Sequence, residues 1–235
     1  MKTLDLNQVL STHPYPGRGI VLGRSADNTK AVIAYFIMGR SETSRNRIFE
    51  ATEDGIRTKA FDESKMVDPS LIIYHPVRKV GGTTVVTNGD QTDTVRDGLL
   101  AGKSYIEALR KRCYEPDPDN YTPRISGVVL EDGAYCLSIL KSADGDPNCN
   151  HRFFYEYDAP VPGTGHFIHT YQENLDPLPS FYGEPRKVVI GNADAKTWAK
   201  EIWTNLNEDN KVSLYVSTID LATGETDSVI INKHA

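Results

Sequence analysis

Short apolar runs separated by polar turns recur along the whole chain and predict a protein built mainly from β-strands. The most apolar run, 31–38, is rich in β-branched and aromatic residues, as expected for a buried strand. Residues 18–24 and 30–38 predict a hairpin with its turn near Asp27 and Asn28. Similar patterns predict further strands near 46–51, 55–60, 71–77, 83–87, 125–130, 134–140, 152–157, 166–171, 212–219 and 227–232.

Helical periodicity appears in three places. Thr92 or Asp93 can cap a first helix, and Gly102 can end it. A second short helix is predicted at 104–109, which opens on a capping box. A third helix follows Asp194 as its cap. Its apolar positions, which fall on one face, are Ala195, Trp198, Ala199, Ile202 and Leu206.

About a dozen strands with few helices predict an α+β protein, with strands packed face to face and helices outside. The chain shows no internal repeat and no linker-like change of composition, which favours one domain over 1–235. Two separate domains are the alternative, because the length allows either. Residues 1–14 are expected to be a short lead-in, and 174–186 a long loop interrupted by prolines.

Composition limits the classes of function. The net charge of −6 argues against a sequence-independent nucleic-acid binder, which usually needs a basic face. The longest apolar run is eight residues, well short of the ~20 that span a bilayer, so no membrane segment is expected. The first residues lack the apolar core of a signal peptide. These features predict a cytoplasmic protein.

Metal and disulfide sites are not predicted. The cysteines, Cys113, Cys136 and Cys149, are odd in number and widely spaced, which suits neither a disulfide framework nor a zinc site. His166 and His169 lie three residues apart in a predicted strand. Side chains alternate between the faces of a strand, so these two are expected on opposite sides. No metal ligand is therefore assigned.

The segment 39–47 is the first candidate site, because it follows the buried strand with three arginines and several hydroxyls but one acid. Arg40, Ser41, Arg45 and Arg47 are its candidate ligand-binding residues. Guanidinium groups bind phosphate and carboxylate bidentately, so the cluster suits a small anion. The alternative is a solvated loop whose arginines pair with surface acids.

Two further polar segments lie where strands are predicted to begin or end. Residues 87–94 include Asn88 and Asp93 at a junction between strand and helix, where backbone N–H groups can bind an anion or a base edge. The alternative there is a turn and a helix cap. Residues 122–125 place Arg124 at the mouth of another strand.

Taken in order, these motifs resemble the archaeal-type IMP cyclohydrolase family. The resemblance covers roughly residues 15–205. It is carried by Tyr15-x-Gly17-Arg18, Arg40-Ser41 with Asn46-Arg47, Tyr74, Asn88-Gly89-x-x-Thr92-Asp93-Thr94, Tyr114-Glu115, Thr122-Pro123-Arg124-Ile125, Thr170-Tyr171 and Glu184-Pro185.

The resemblance implies a four-layered αββα sandwich like that of N-terminal-nucleophile hydrolases. It implies closure of 5-formamidoimidazole-4-carboxamide ribotide to inosine monophosphate (IMP) with loss of water, the last step of purine synthesis. No metal or organic cofactor is expected. Amidases of that fold use a Ser, Thr or Cys at the chain start. Here Tyr15-Pro16-Gly17 precedes the first predicted strand, which favours the cyclohydrolase.

By the same resemblance, Arg47, Tyr74 and Glu115 are the expected catalytic residues. Without it, Glu115 could be a solvated loop acid and Tyr74 a half-buried strand residue. The expected partner is a purine ribotide, and a homo-oligomer is possible. An amidase and a non-catalytic purine nucleotide-binding protein remain alternatives, and the arginine that meets the 5′-phosphate is left open. The expected substrate-binding residues are Arg18, Arg40, Ser41, Arg45, Asn88, Asp93 and Arg124.

Overall fold

A computed structural model describes residues 2–66, 68–143, 145–191 and 194–234. It contains two antiparallel sheets and few helices, which confirms the α+β prediction. The strands are β1 (Arg18–Arg24), β2 (Lys30–Met38), β3 (Arg47–Thr52), β4 (Gly55–Ala60), β5 (Val77–Val80), β6 (Thr83–Thr87), β7 (Arg124–Val129), β8 (Tyr135–Ala143), β9 (Asp146–Tyr157), β10 (Thr164–His169), β11 (Arg186–Val189), β12 (Lys211–Asp220) and β13 (Thr226–Asn232).

The α-helices are short; the first precedes β1 and the others lie between strands in sequence. They are α1 (Leu6–Thr12), α2 (Glu42–Arg45), α3 (Gln91–Leu100), α4 (Tyr105–Leu109) and α5 (Ala195–Asn205). Side-chain caps start most of them, as at Ser104 and Asp194, each of which accepts a hydrogen bond from a backbone N–H of the first turn. No described helix has both the length and the apolar character required to cross a membrane.

The first sheet has the order β11-β10-β1-β2-β12-β13, and the second has β3-β4-β5-β6-β7-β8-β9. The predicted hairpin is β1–β2, with Arg18 opposite Ile37 and Arg24 opposite Ala31. Close packing inside the first sheet needs Gly19, because a Cβ there would lie 2.3 Å from the ring of Phe36.

One hydrophobic core lies between the two sheets and contains side chains from both. Ile20, Ile33 and Tyr35 of the first sheet pack in one cluster with Phe49 and Ile125 of the second. Alternation along the strands sends the other set of apolar side chains to the opposite faces. Each sheet therefore has buried apolar side chains on both of its faces.

Helices cover the outward faces. Leu6 and Leu10 of α1 and Trp198 of α5 belong to the cluster on the outer face of the first sheet. Val95 of α3 and Leu109 of α4 belong to a cluster on the outer face of the second sheet.

Three sequence predictions differ from the structure. The expected lead-in 1–14 contains α1, which Asp5 caps and whose apolar side chains are buried. The expected strand 71–77 is wrong for most of its length: a turn in which Ile72 and Ile73 donate to the carbonyl of Pro69 precedes β5. Helix α3 begins at Gln91, ahead of the predicted caps Thr92 and Asp93. Met1 and Ala235, the ends of the predicted single domain, lie outside the described residues.

Candidate functional site

Arginines at the first residues of three strands come together at one end of the two sheets. Arg18 begins β1, Arg47 begins β3 and Arg124 begins β7. Two of them, Arg18 and Arg47, line a cavity of about 440 Å³, a size suited to a small-molecule ligand. The complete lining is Arg18, Ser41, Thr43, Ser44, Arg47, Asp68, Leu71, Ile72, Glu115 and Asp117.

Arg18 is held by the turn that precedes β1. Gly17 has φ of 77°, which favours glycine, and a Cβ there would lie 2.3 Å from the Thr170 hydroxyl. The Arg18 backbone N–H donates to that hydroxyl at 3.1 Å. The guanidinium extends toward Tyr171, whose hydroxyl lies 3.5 Å from Nη1, and toward Glu115, whose Oε2 lies 4.0 Å from Nη2.

Arg47 is one of the largest fully buried side chains, at 1% exposure. Helix α2, which has a capping box between Ser41 and Ser44, turns the chain into β3 and presents the Ser44 carbonyl to Arg47 Nε at 2.9 Å. Burial lowers the pKa of Arg47, and the neighbouring charge of Arg18 lowers it further. A buried cation beside a second cation is stabilised by a bound anion.

Glu115 is 2% exposed and lies in the loop between α4 and β7, where its backbone N–H donates to the Thr122 carbonyl. Burial raises its pKa to about 7, although the charges of Arg18, Arg124 and Arg47 oppose the rise. A carboxyl that titrates near neutral pH can both accept and return a proton.

A row of hydroxyls links Arg18 to Asp117. Thr122 Oγ1 donates to the Asp117 carboxylate and shares a second hydrogen bond, at 2.7 Å, with the Tyr171 hydroxyl. Because the single Thr122 proton goes to Asp117, Tyr171 donates to Thr122 and leaves its lone pairs toward Arg18. Burial disfavours the charge of Arg18, but Glu115, Tyr171 and other phenols outweigh it and raise the Arg18 pKa.

Tyr74 is buried close to the arginines. Its hydroxyl shares a 2.8 Å hydrogen bond with the Tyr35 hydroxyl from the middle of β2. Its backbone is fixed by Thr58 of β4, whose hydroxyl receives the Tyr74 N–H at 2.8 Å. Tyr74 is not among the residues that line the cavity, although its phenol is close enough to Arg18 and Arg47 to raise the pKa of each guanidinium.

Arg124 lies near Glu115 but does not line the cavity, and protein groups bind its Nη1. Its Nη1 donates to Gln91 at 2.7 Å and pairs with Asp90 at 2.7 Å. Gly89 makes room for this arrangement: a Cβ there would lie 2.6 Å from Arg124 Nη1 and 3.5 Å from Glu115 Oε1. The position tolerates no side chain without displacing Arg124.

Four predicted binding residues have their polar groups directed to other protein atoms. The buried Asn88 side chain donates to the Pro123 carbonyl and accepts from the Ile125 N–H and the Gln91 side-chain amide. The remaining three bind as follows: Arg40 to Asn174 and the Leu175 carbonyl, Arg45 to the Gly39 carbonyl and Asn210, and Asp93 to Arg78 and Arg96. The predicted Ser41 does line the cavity, where its side chain also caps α2.

The histidines are separate from this site. His166 bonds to Tyr135 and stacks on Tyr157, whereas His169 bonds to the Tyr171 carbonyl beside His13. Within the described ranges, no group of three or more His, Cys, Asp or Glu side chains has metal-binding geometry.

Two buried donors distinguish the site chemically. Arg18 Nε and Arg47 Nη2 have no hydrogen-bond partner among the described residues. Unpaired buried donors cost free energy, so a ligand with acceptor oxygens would be favoured between them. The cavity therefore combines anion recognition with a carboxyl suited to proton transfer.

Sequence reasoning missed several residues of the site. Tyr35 lies in an apolar run whose pattern indicated only a strand, and Asp117 lies in a proline-rich loop. Tyr171 and Thr122 were noticed only as parts of motifs. These residues come together because strands that are distant in sequence pair with one another, and no local sequence pattern predicts that pairing.

Comparison of this chain with known proteins identifies its family. A family model described as IMP cyclohydrolase-like protein matches residues 15–225. The chain belongs to the IMP cyclohydrolase-like family. All ten predicted site residues lie inside the matched segment, including Arg47, Tyr74 and Glu115.

Individual members of the family are moderately similar to this chain. The IMP cyclohydrolase of Methanococcus aeolicus is 31% identical over 125 residues, which is 52% of this chain and 61% of that protein. That of Halobacterium salinarum is 32% identical over 132 residues, 54% of this chain and 63% of the relative. The chain thus spans less than two thirds of these relatives. The Methanopyrus kandleri enzyme is 30% identical over 202 residues, 80% of this chain and 98% of the relative.

Proposed function

We propose that this protein is an IMP cyclohydrolase, which closes 5-formamidoimidazole-4-carboxamide ribotide to IMP and water. The observation that carries the proposal is a buried carboxyl, Glu115, with a pKa of about 7 beside two arginines that have unpaired buried donors. Family membership supplies the reaction, and the cavity supplies groups suited to it.

The reaction is intramolecular. The carboxamide nitrogen attacks the formyl carbon, a C–N bond forms, and the formyl oxygen leaves as water after the nitrogens have lost two protons. Holding the two ring substituents in contact can provide effective molarities of about 10⁵ M or more. The site must then move protons and stabilise the developing oxyanion.

Glu115 is assigned the proton transfers. In its ionised form it takes a proton from the attacking amide and passes it to the oxyanion, which becomes a hydroxyl. It then takes the proton of the formamide nitrogen and returns it to that hydroxyl, so that the C–O bond breaks, water leaves and the C=N bond forms. A group with a pKa near the working pH suits both steps, and such catalysis contributes about 10²–10⁴-fold. Arg18 and Arg124 keep a part of its population ionised, since both lower its pKa.

Arg47 and Tyr74 are assigned to the reacting oxygen atoms. The free Nη2 donor of Arg47 would stabilise the oxyanion, in a site where little water competes. The Tyr74 hydroxyl would hold the formyl or carboxamide group. Arg18 and the hydroxyls of Ser41 and Thr43 at the rim suit the ribose phosphate.

The finer fold assignment is part of the proposal. We propose one domain with the four-layered αββα sandwich of N-terminal-nucleophile hydrolases. Helices α1 and α5 outside one sheet, and α3 and α4 outside the other, support that order of layers. The small-molecule partner is the purine ribotide, and the predicted cytoplasmic location stays a prediction.

Purified protein should be incubated with the formylated ribotide while ultraviolet absorbance is followed, with IMP identified by chromatography. We expect IMP to form, Glu115→Gln to slow it by about 10²-fold or more, and the exposed Glu225→Gln to leave it unchanged. Release of ammonia instead of IMP would indicate an amidase. Binding of IMP with no conversion of the precursor would indicate a non-catalytic nucleotide-binding protein.

A further inference from the structure

The four edge strands of the two sheets are covered to different extents. Leu4 pairs with the free edge of β11. Its N–H donates to the Lys187 carbonyl, and its carbonyl accepts from the Val189 N–H. Asn232 of β13 bonds to both backbone groups of Phe49 and so covers β3. Strand β13 itself lies against α5 and β3. Exposed edges are sites of pairing with other chains, and these three are blocked in part.

Strand β9 is different. It is the last strand of the second sheet and, at 12 residues, the longest strand described. From residue 152 to residue 157 its backbone makes hydrogen bonds only to β8, as far as the described part of the chain shows. Its outer edge therefore presents a row of free N–H and C=O groups without a proline in that stretch.

The side chains of this edge form a self-complementary sequence. We propose that β9 pairs antiparallel with β9 of a second copy of this chain, about a two-fold axis at Phe154. In that register Arg152 lies opposite Glu156 of the partner subunit, and Phe153 lies opposite Tyr155 of the partner subunit. Within its own chain the Arg152 guanidinium donates to the neutral Arg112 carbonyl, so its charge has no acid partner there among the described residues. Each pair occurs twice, as a symmetric interface requires. Opposite charges and aromatic residues in directly opposed positions stabilise antiparallel strands.

Neighbouring registers lack this complementarity. An axis at Phe153 sets Arg152 against Phe154 and Glu156 against Asn150. An axis at Tyr155 sets Glu156 against Phe154. It would also set Arg152 against Asp158, but Asp158 lies beyond the end of β9. Moving the axis by one residue slides the partner strand by two residues, which keeps every side chain on its face, so these registers differ only in the side chains that they pair. The charge pattern therefore selects the axis at Phe154.

Exposed aromatic residues flank the same edge. Phe153 is 41% exposed and Tyr182, in the loop that follows β10, is 66% exposed. Both line a groove of about 400 Å³ together with Tyr155. A second copy placed along β9 would cover part of this apolar surface, which adds hydrophobic burial to the backbone pairing.

The pairing can be tested by reversing charges. Arg152→Glu and Glu156→Arg each place like charges opposite one another at both ends of the interface, whereas the double variant Arg152→Glu/Glu156→Arg restores the opposite pairing. Arg57→Glu, an exposed reversal at the other end of the same sheet, is the matched control. Dissociation constants would be measured by sedimentation equilibrium, with circular dichroism to check folding.

We expect the wild type to be a dimer, each single reversal to weaken dimerisation by about tenfold or more, and the double variant to recover most of the loss. The control should dimerise like the wild type. A monomeric wild type, or single variants that dimerise as tightly as the wild type, would overturn the proposal. Failure of the double variant to recover while folded would also reject the proposed register. None of these results depends on enzymatic activity, so they are independent of the proposed function.

Discussion

Glu115 should make the stability of the protein depend on pH in an unusual direction. Its pKa is about 7 in the folded protein and 4.5 in the ordinary case, because burial disfavours the charged form. The folded state therefore binds the proton more tightly than the unfolded state. Between pH 4.5 and about 7 the contribution of Glu115 to stability falls as pH rises, and above about 7 the whole penalty is present.

The size of this effect follows from the difference between the two pKa values. At roughly 1.4 kcal/mol for each pKa unit, the penalty at pH 8 is about 3 kcal/mol. Glu115→Gln carries no charge at either pH and should lack it. Part of the penalty, about 0.8 kcal/mol, is already present at pH 5. We therefore expect the loss of unfolding free energy between pH 5 and pH 8 to be smaller in Glu115→Gln than in the wild type by about 2.5 kcal/mol.

Urea denaturation at both pH values measures this difference, and comparison with Glu225→Gln removes the contributions of all other groups. Comparing the change with pH, rather than stability at one pH, cancels any packing difference between Glu and Gln. Equal pH dependence in the wild type and Glu115→Gln would mean that Glu115 titrates normally. The assignment of proton transfer to this residue would then lose its physical basis.

Three other substitutions test separate parts of the structure. Arg47→Met removes a buried cation that Arg18 repels, so the unliganded protein should keep its melting temperature. In the wild type, IMP at a hundred times its Kd should stabilise the protein by about 3 kcal/mol, and thermal shift assays should show that Arg47→Met loses this stabilisation. Equal stabilisation of both proteins by IMP would exclude Arg47 from the site. Gly89→Ala should displace Arg124 and lower kcat/KM by about tenfold while the protein stays folded, as steady-state kinetics would report. Leu10→Ala should lower the free energy of unfolding, measured by urea denaturation, by about 2–5 kcal/mol, because α1 is part of the core. An unchanged urea midpoint would mean that α1 does not contribute to the stability of the fold.

The strand pattern could be predicted closely where polar turns bounded short apolar runs. The predicted strands 55–60 and 83–87 match β4 and β6. Helix α1 was missed although Asp5, Leu6, Val9 and Leu10 carry its cap and apolar spacing, because a single short helix near the chain start gives a weak signal. The false strand at 71–77 shows the opposite error: a local apolar run was overridden by the turn at Pro69.

The site was predictable in kind but not residue by residue. Sequence alone indicates that arginines lie at the ends of strands, which is correct for Arg18 and Arg47 at the cavity. It does not indicate which arginine finds an acceptor nearby. Arg45 binds Asn210, and Arg40 binds Asn174, and both partners lie far from these arginines in the chain. Tertiary hydrogen bonds of this kind decide which cations face a ligand.

The pH dependence of ring closure tests the central claim most directly. Initial rates of IMP formation should be measured from pH 5.5 to 8.5 with the wild type, Glu115→Gln and Glu225→Gln. The account predicts that kcat/KM of the wild type and of Glu225→Gln rises to a plateau with an inflection at about 7, and that Glu115→Gln is slower by about 10²-fold or more and lacks this inflection. The same inflection and nearly the same rate in Glu115→Gln would contradict the account.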